Sequence, residues 1–177
     1  AIRERMTVVT QESFLYHDTV RNNIRLGKSD ATDQEIKNAC KLAAIDTFIE
    51  SLGKQYDEPI TNAKQTMSKG QMQRINLSRA FLKSTPIYLF DEPTSALDVN
   101  SAKTINRNIT SNLKGKTIIS IIHDLDFLSS YDRVMVMKEG KIAGFAPHDE
   151  LLVTCDEYIS LLGKQNADET GSVNDDI

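Results

Sequence analysis

Two acids stand side by side where an apolar run ends: Ile87 to Phe90 leads directly into Asp91 and Glu92. A carboxylate pair at the end of a buried segment can hold a hard cation through oxygen and activate a water beside it. Phosphate chemistry needs both functions. Two further polar side chains occupy comparable places. Gln11 follows the short β-prone run Met6 to Val9, and His123 follows the β-branched run Lys116 to Ile122. Gln both donates and accepts hydrogen bonds, and His titrates near neutral pH. The run Ser68-Lys69-Gly70-Gln71 opens a helical pattern. A helix start offers free N–H groups and a partial positive charge, which suits phosphate.

Composition narrows the setting. The 177 residues are 40% hydrophobic and 26% charged, the make-up of a globular protein with room for a sizeable core. The net charge of −4 gives no electrostatic case for nucleic acid or an acidic membrane surface. No apolar run approaches the ~20 residues that span a bilayer, and no signal peptide is visible. The two cysteines, Cys40 and Cys155, have no metal-site spacing and lie in helix-like apolar patterns, so they read as reduced core-side thiols.

Elements must carry these groups to one place. Apolar residues at Ile36, Cys40, Ala43 and Ala44 form a helical stripe, with Thr32 and Glu35 as a capping box at its start. Ser68 and Gln71 form a second such box, ahead of a face made by Met72, Ile75, Leu77, Ala80 and Phe81. Further helices are expected over Thr19 to Ile24, around Ser101 to Leu113, in "DLDFLSS", and in the terminal "HDELL" and "YISLL". "RVMVMKEGKIAGFA" reads as a hairpin turning at Glu139-Gly140. Strands alternate with helices, and two strands are apolar on both faces, which argues for a buried, mainly parallel sheet in an α/β domain. Ligands of such sheets bind beyond the carboxyl ends of the strands. Gln11, the Asp91-Glu92 pair and His123 should therefore converge on one edge.

These residues sit in motifs that resemble a known family. "VTQESFLYHDTVRNNI" resembles the Q-loop region of ATP-binding-cassette (ABC) transporter ATPases, and "MSKGQMQRINLSRA" resembles their signature motif and its helix. "IYLFDEPTSALD" is similar to their Walker B strand, catalytic glutamate and D-loop, and "IISIIHD" to their H-loop. "DRVMVMKEGKIAGFAPHDELL" is similar to the end of the domain. The match runs in order from about Arg3 to Leu162, and its wording around Gln11 and "YDEPI" is closest to the exporter branch.

The resemblance implies roles. Asp91 would hold Mg²⁺, mostly through water, and Glu92 would polarise the water that attacks the γ-phosphate of ATP. His123 would contact that phosphate and orient Glu92. Gln11 would reach Mg²⁺ or the lytic water and couple nucleotide state to the membrane domain. Ser68, Lys69, Gly70 and Gln71 would bind ATP held by an opposing subunit, and Ser95, Ala96, Leu97 and Asp98 would line the dimer interface. Lys69 stands where the family has glycine, which removes φ > 0 freedom and adds a cation near phosphate. Thr61 and Asn62 stand where exporters have Gly-Glu. One expectation is a heterodimeric exporter whose weaker site uses this signature. His17 and His148 read as surface or capping residues.

No G-x-x-x-x-G-K-[ST] occurs in the chain. Gly27-Lys28-Ser29 has Asn22 where the first glycine is required, and Gly115-Lys116-Thr117 has Thr110 there, so both tripeptides are decoys. The expected fold is an α/β, incomplete P-loop NTPase-like ABC ATPase domain over residues 1–163, with a helical subdomain at about 18–84 carrying the signature. Residues 164–177 should form an acidic, disordered tail. The strand expected to neighbour Walker B is missing with the P-loop, so the sheet should expose apolar surface. Alone, the chain should bind ATP weakly and be prone to aggregate. The expected function is ATP hydrolysis powering export, with a second ABC ATPase domain and exporter transmembrane domains as partners, at the cytoplasmic face of a membrane. The alternatives are a non-catalytic piece that completes a partner's site, or a soluble ABC protein of DNA repair or translation. The exporter-like Q-loop and the lack of basic patches argue against the last.

Overall fold

The computed structural model describes residues 2–171. The chain divides into two compact units, Ala1–His123 and Asp124–Ile177. The boundary between them follows His123. Among the described residues, the parallel sheet ends with the strand before His123, and the later hairpin forms a two-stranded sheet.

In the first unit, three parallel strands form the sheet: β1 (Met6–Val9), β4 (Ile87–Asp91) and β5 (Thr117–Ile121), in the order β1-β4-β5. Strand β4 is paired on both sides, with Val9 opposite Phe90 and Asp91 opposite Ile121. The expectation that β4 lacks a neighbour is therefore wrong; the free edges belong to β1 and β5. Alternation along each strand sends Thr7, Val9, Tyr88 and Phe90 into the core. Val8, Ile119 and Ile121 point to the other face and are more than half exposed. Among the described residues, one face of the sheet is buried in the core, and the other leaves apolar side chains exposed.

Between the two-residue strands β2 (Asp18–Thr19) and β3 (Pro59–Ile60) run α1 (Val20–Arg25), α2 (Asp33–Leu42) and α3 (Asp46–Ser51). After β3 come α4 (Ala63–Thr66) and α5 (Lys69–Leu82). Thr32 and Glu35 close the capping box on α2, and Ser68 and Gln71 close the one on α5. Helix α5 is buried on several sides, at Gly70, Gln73, Ile75, Leu77, Ser78, Ala80 and Leu82. A helix surrounded in this way has little amphipathic contrast, so its sequence stripe was only part of what is buried. Helix α6 (Val99–Asn112) is capped by Asp98 and buries Ile105 and Ile109. Each fully buried Ile contributes roughly 1.5–3 kcal/mol relative to exposure.

Both decoy tripeptides have structural causes. A Cβ at Gly27 would lie 2.3 Å from the Arg79 carbonyl oxygen, so this glycine permits α1 to approach α5. Lys28 pairs with Glu35 at 2.5 Å. Gly115 has φ 76° in the turn that leads into β5.

The second unit holds a 3₁₀ turn (Leu125–Ser130), the hairpin β6 (Val134–Lys138) and β7 (Lys141–Ala146), α7 (His148–Thr154) and α8 (Asp156–Gly171). Glu139 and Gly140 both have positive φ, 50° and 75°, as a two-residue type I′ turn requires. Gly144 leaves room for Leu151 and Cys155, and His148 bonds the Tyr158 hydroxyl at 2.6 Å. Helix α8 carries on past 164, where the acidic tail was expected to start, to Gly171; residues 172–177 lie outside the described residues. Cys40 and Cys155 are buried free thiols, and burial pushes Cys40 up to about 12. Among the described residues, no helix is long and apolar enough to cross a membrane.

Candidate active site

The carboxyl ends of β1, β4 and β5 bring three side chains together. Gln11 Nε2 donates to Glu92 Oε2 at 2.9 Å. His123 Nε2 lies 2.9 Å from Glu92 Oε1. Both carboxylate oxygens are thus engaged, which fixes the plane of the group. Glu92 is largely buried, with 19% of its side chain exposed, whereas His123 is 78% exposed. Asp91, the last residue of β4, is half-buried beside it.

The backbone at Glu92 is unusual. Its φ is 48°, left-handed for a residue with a side chain, at a cost of roughly 1–2 kcal/mol. Surrounding bonds hold it there. The Glu92 N–H donates to the Ile121 carbonyl at 3.1 Å, and the Glu92 carbonyl accepts from Ser95 N–H at 3.3 Å and Ser95 Oγ at 3.1 Å. A further bond comes from α5: Gln73 Nε2 donates to the same carbonyl at 2.9 Å, while Gln73 Oε1 accepts from Ala96 N–H at 3.3 Å. Gln73 is 2% exposed. It was not among the residues expected from sequence. The signal was available: Gln73 lies on the same buried stripe as Gly70, Leu77 and Ala80, and a polar group buried there needs partners.

The signature residues occupy the amino end of α5. Ser68 Oγ accepts from Gln71 N–H, and Gln71 Oε1 accepts from Ser68 N–H at 2.9 Å. In this arrangement the Ser68 hydroxyl still has its proton to donate. Lys69 is the first helical residue and is exposed. Positive φ outside glycine occurs, among the described residues, at Ala44, Gln55, Glu92 and Glu139 only. Lys69 therefore needs no left-handed freedom here, and the backbone penalty expected from losing glycine does not arise. Gly70 is held by contact: a Cβ there would lie 2.7 Å from the Ala96 carbonyl oxygen and 3.1 Å from Leu97. The turn Ser95-Ala96-Leu97 packs on this helix and ends at Asp98, whose side chain accepts from Ser101 N–H at 2.9 Å. Those bonds to Ser101 hold the Asp98 carboxyl below its ordinary range.

Beyond Gln11, Arg79 organises the following loop. Its guanidinium donates to the carbonyls of Asn23 (2.8 Å) and Phe14 (2.7 Å) and to Asn23 Oδ1 (2.8 Å). Burial pushes this group down to about 10. Asn23 in turn donates to the carbonyls of Tyr16 and Thr19. The result is a firm floor under an open cavity of about 630 Å³, walled by Phe14, Tyr16 and Leu26, all more than half exposed.

A profile of the ABC transporter family matches residues 1–95, more than half of the chain. The chain belongs to the ABC transporter family. Its relatives include an ATP-dependent lipid A-core flippase of Desulfotalea psychrophila, 38% identical over 165 residues, which are 93% of this chain and 29% of the flippase. ABC transporter B family member 3 of Dictyostelium discoideum is also 38% identical, over 93% of this chain and 12% of its own length. Among solved structures, a bacterial Atm1-family ABC exporter with ATP bound matches at a TM-score of 0.88 and 33% identity, over 93% of this chain and 29% of that one. The chain thus spans less than a third of the length of these relatives, and its α/β fold with a parallel sheet is that of an exporter-type ABC ATPase domain in part. The family implies nucleotide use.

Among the described residues, no three His, Cys, Asp or Glu side chains gather into a metal cage. Mg²⁺ keeps several waters and takes one or two carboxylates plus substrate phosphates. Asp91 offers such a carboxylate on a rigid strand end.

Proposed function

We propose that this ABC ATPase domain hydrolyses ATP at an interface with a second such domain and powers export through transmembrane domains, on the cytoplasmic side of a membrane. The observation that carries the reading is the clamped Glu92 carboxylate between Gln11 and His123. Glu92 takes a proton from water as the water oxygen bonds to the γ-phosphorus and the bond to the β-phosphate oxygen breaks, releasing ADP and phosphate. His123 holds Glu92 and faces the phosphate. Asp91, with the free oxygen of Gln11, would hold Mg²⁺, which neutralises phosphate charge. Ser68, Lys69, Gly70 and Gln71 meet ATP bound by the opposing domain, and Ser95, Ala96, Leu97 and Asp98 line that interface. The cavity beside Phe14, Tyr16 and Leu26 receives a segment of the membrane domain, so that movement there reaches Gln11 through their shared loop. Residues 18–84 act as the helical subdomain.

The 177 residues contain no P-loop motif, and by themselves they bind ATP weakly. The test of the reading is Glu92→Gln in the full-length transporter. Turnover should fall by about 10²–10⁴, the usual contribution of a positioned general base, with ATP still bound. Turnover within threefold of wild type would overturn it.

A further inference from the structure

The bond pattern around Gln73 reaches beyond holding a helix in place. A primary amide is the side chain that offers a donor and an acceptor next to each other. Here the donor meets the Glu92 carbonyl and the acceptor meets the Ala96 N–H, the two ends of the turn that carries Glu92 into the exposed Ser95–Asp98 segment. The two partners fix the amide orientation, since a carbonyl needs the NH₂ and an N–H needs the oxygen. The turn holds Glu92 in its left-handed conformation, a strained state that persists only when its surroundings over-determine it. Of the side chains bonded to that carbonyl, Gln73 is buried and Ser95 is exposed. Gln73 also stands in the helix whose amino end is capped by Ser68.

We propose that Gln73 is a positioning residue for hydrolysis: its two hydrogen bonds fix the backbone of Glu92 and tie the aim of that carboxylate to the position of the amino end of α5. The assignment rests on the hydrolytic role of Glu92 proposed above. It means that a phosphate pulling on Ser68 of this chain is felt at this chain's own Glu92. The link runs through one rigid helix and one amide.

Three forms of the full-length transporter in lipid nanodiscs test this: wild type, Gln73→Met and Gln73→Glu. Met keeps the volume and loses both bonds, so kcat should fall at least tenfold with KM for ATP within twofold. Glu accepts from Ala96 when ionised but repels the Glu92 carbonyl; when protonated it donates and accepts as Gln does. Relative to wild type at each pH, Q73E should be slow at pH 8.5 and recover at least fivefold by pH 6, and Q73M should show no recovery. Burial raises the carboxyl pKa and brings the transition into this range. A role confined to packing would lower the thermal midpoint of Q73M and leave kcat per folded molecule unchanged, and should Q73M fail to fold, the Q73E profile, read per folded molecule at each pH, decides. A kcat for Q73M within twofold of wild type, or a flat Q73E ratio, overturns the assignment alone. A wild type without Glu92-dependent ATPase overturns it together with the proposed function.

Discussion

Gln11 Nε2 donates to Glu92 Oε2 at 2.9 Å across 81 positions of sequence, linking the loop after β1 to the carboxylate after β4. Gln11→Glu would place a second carboxylate against it, and two carboxylates at hydrogen-bond distance raise the pKa of the pair. Since the base must be ionised to accept a proton, the acid limb of the pH–rate profile should move to higher pH. Turnover at pH 7 should fall further in Q11E than in Gln11→Ala. A steady-state ATPase profile from pH 5.5 to 9 measures both.

Two glycines separate stability from turnover. Gly27→Ala drives a Cβ to 2.3 Å from a backbone oxygen of α5, which cannot easily move, and should cost about 3 kcal/mol. Gly70→Ala meets the Ala96 oxygen at 2.7 Å, a smaller overlap than at Gly27, and should cost less, roughly 1 kcal/mol. The displaced turn carries Glu92, so G70A should nevertheless lose more turnover than stability. Thermal melts and ATPase assays of the two variants should rank them oppositely.

Arg79 bonds three oxygens of the loop between Phe14 and Asn23. Lysine keeps the charge but cannot present the planar fork. Arg79→Lys should destabilise by roughly 2 kcal/mol. Amide exchange should accelerate first in residues 14–23, ahead of α2 or α6, when followed by mass spectrometry.

Lys28 and the Thr32 cap hold the Glu35 carboxyl down to about 2, from 4.5. The folded form therefore binds its proton less readily than the unfolded form. The stabilisation is full above about 4.5 and is lost as pH falls towards 2. The pair is exposed, so the effect is small and screened by salt. Glu35→Gln should lower the thermal midpoint slightly near neutrality and converge with wild type as pH falls towards 2, which flattens the pH dependence between 4.5 and 2. An unchanged acid slope would contradict this.

Much of the framework could be read from local spacing. Thr32 with Glu35, and Ser68 with Gln71, are three residues apart because capping is a one-turn event, and both boxes are present. Gln11, Glu92 and His123 each follow an apolar run, and parallel strands set their ends on one edge. What could not be read depends on contacts between distant segments. The bonds of Gln73 run from a side chain to backbone groups of another element, and such bonds leave no spacing in the sequence. The residue type Glu gives no hint of φ 48° at position 92. The β-branched runs of β1 and β5 announce strands but not which face is covered. Strand order likewise put the free edges on β1 and β5, where sequence alone had left β4 short of a neighbour.

The left-handed backbone at position 92 has a practical consequence for engineering. Glycine adopts that conformation without strain, so Glu92→Gly should melt higher than Glu92→Ala, by about 1 kcal/mol. A library screened for heat resistance alone would therefore rank glycine above alanine at this position, although neither can take the proton and both lose the contacts of the carboxylate with Gln11 and His123. Such a screen sorts inert variants among themselves and has to be paired with a readout of turnover.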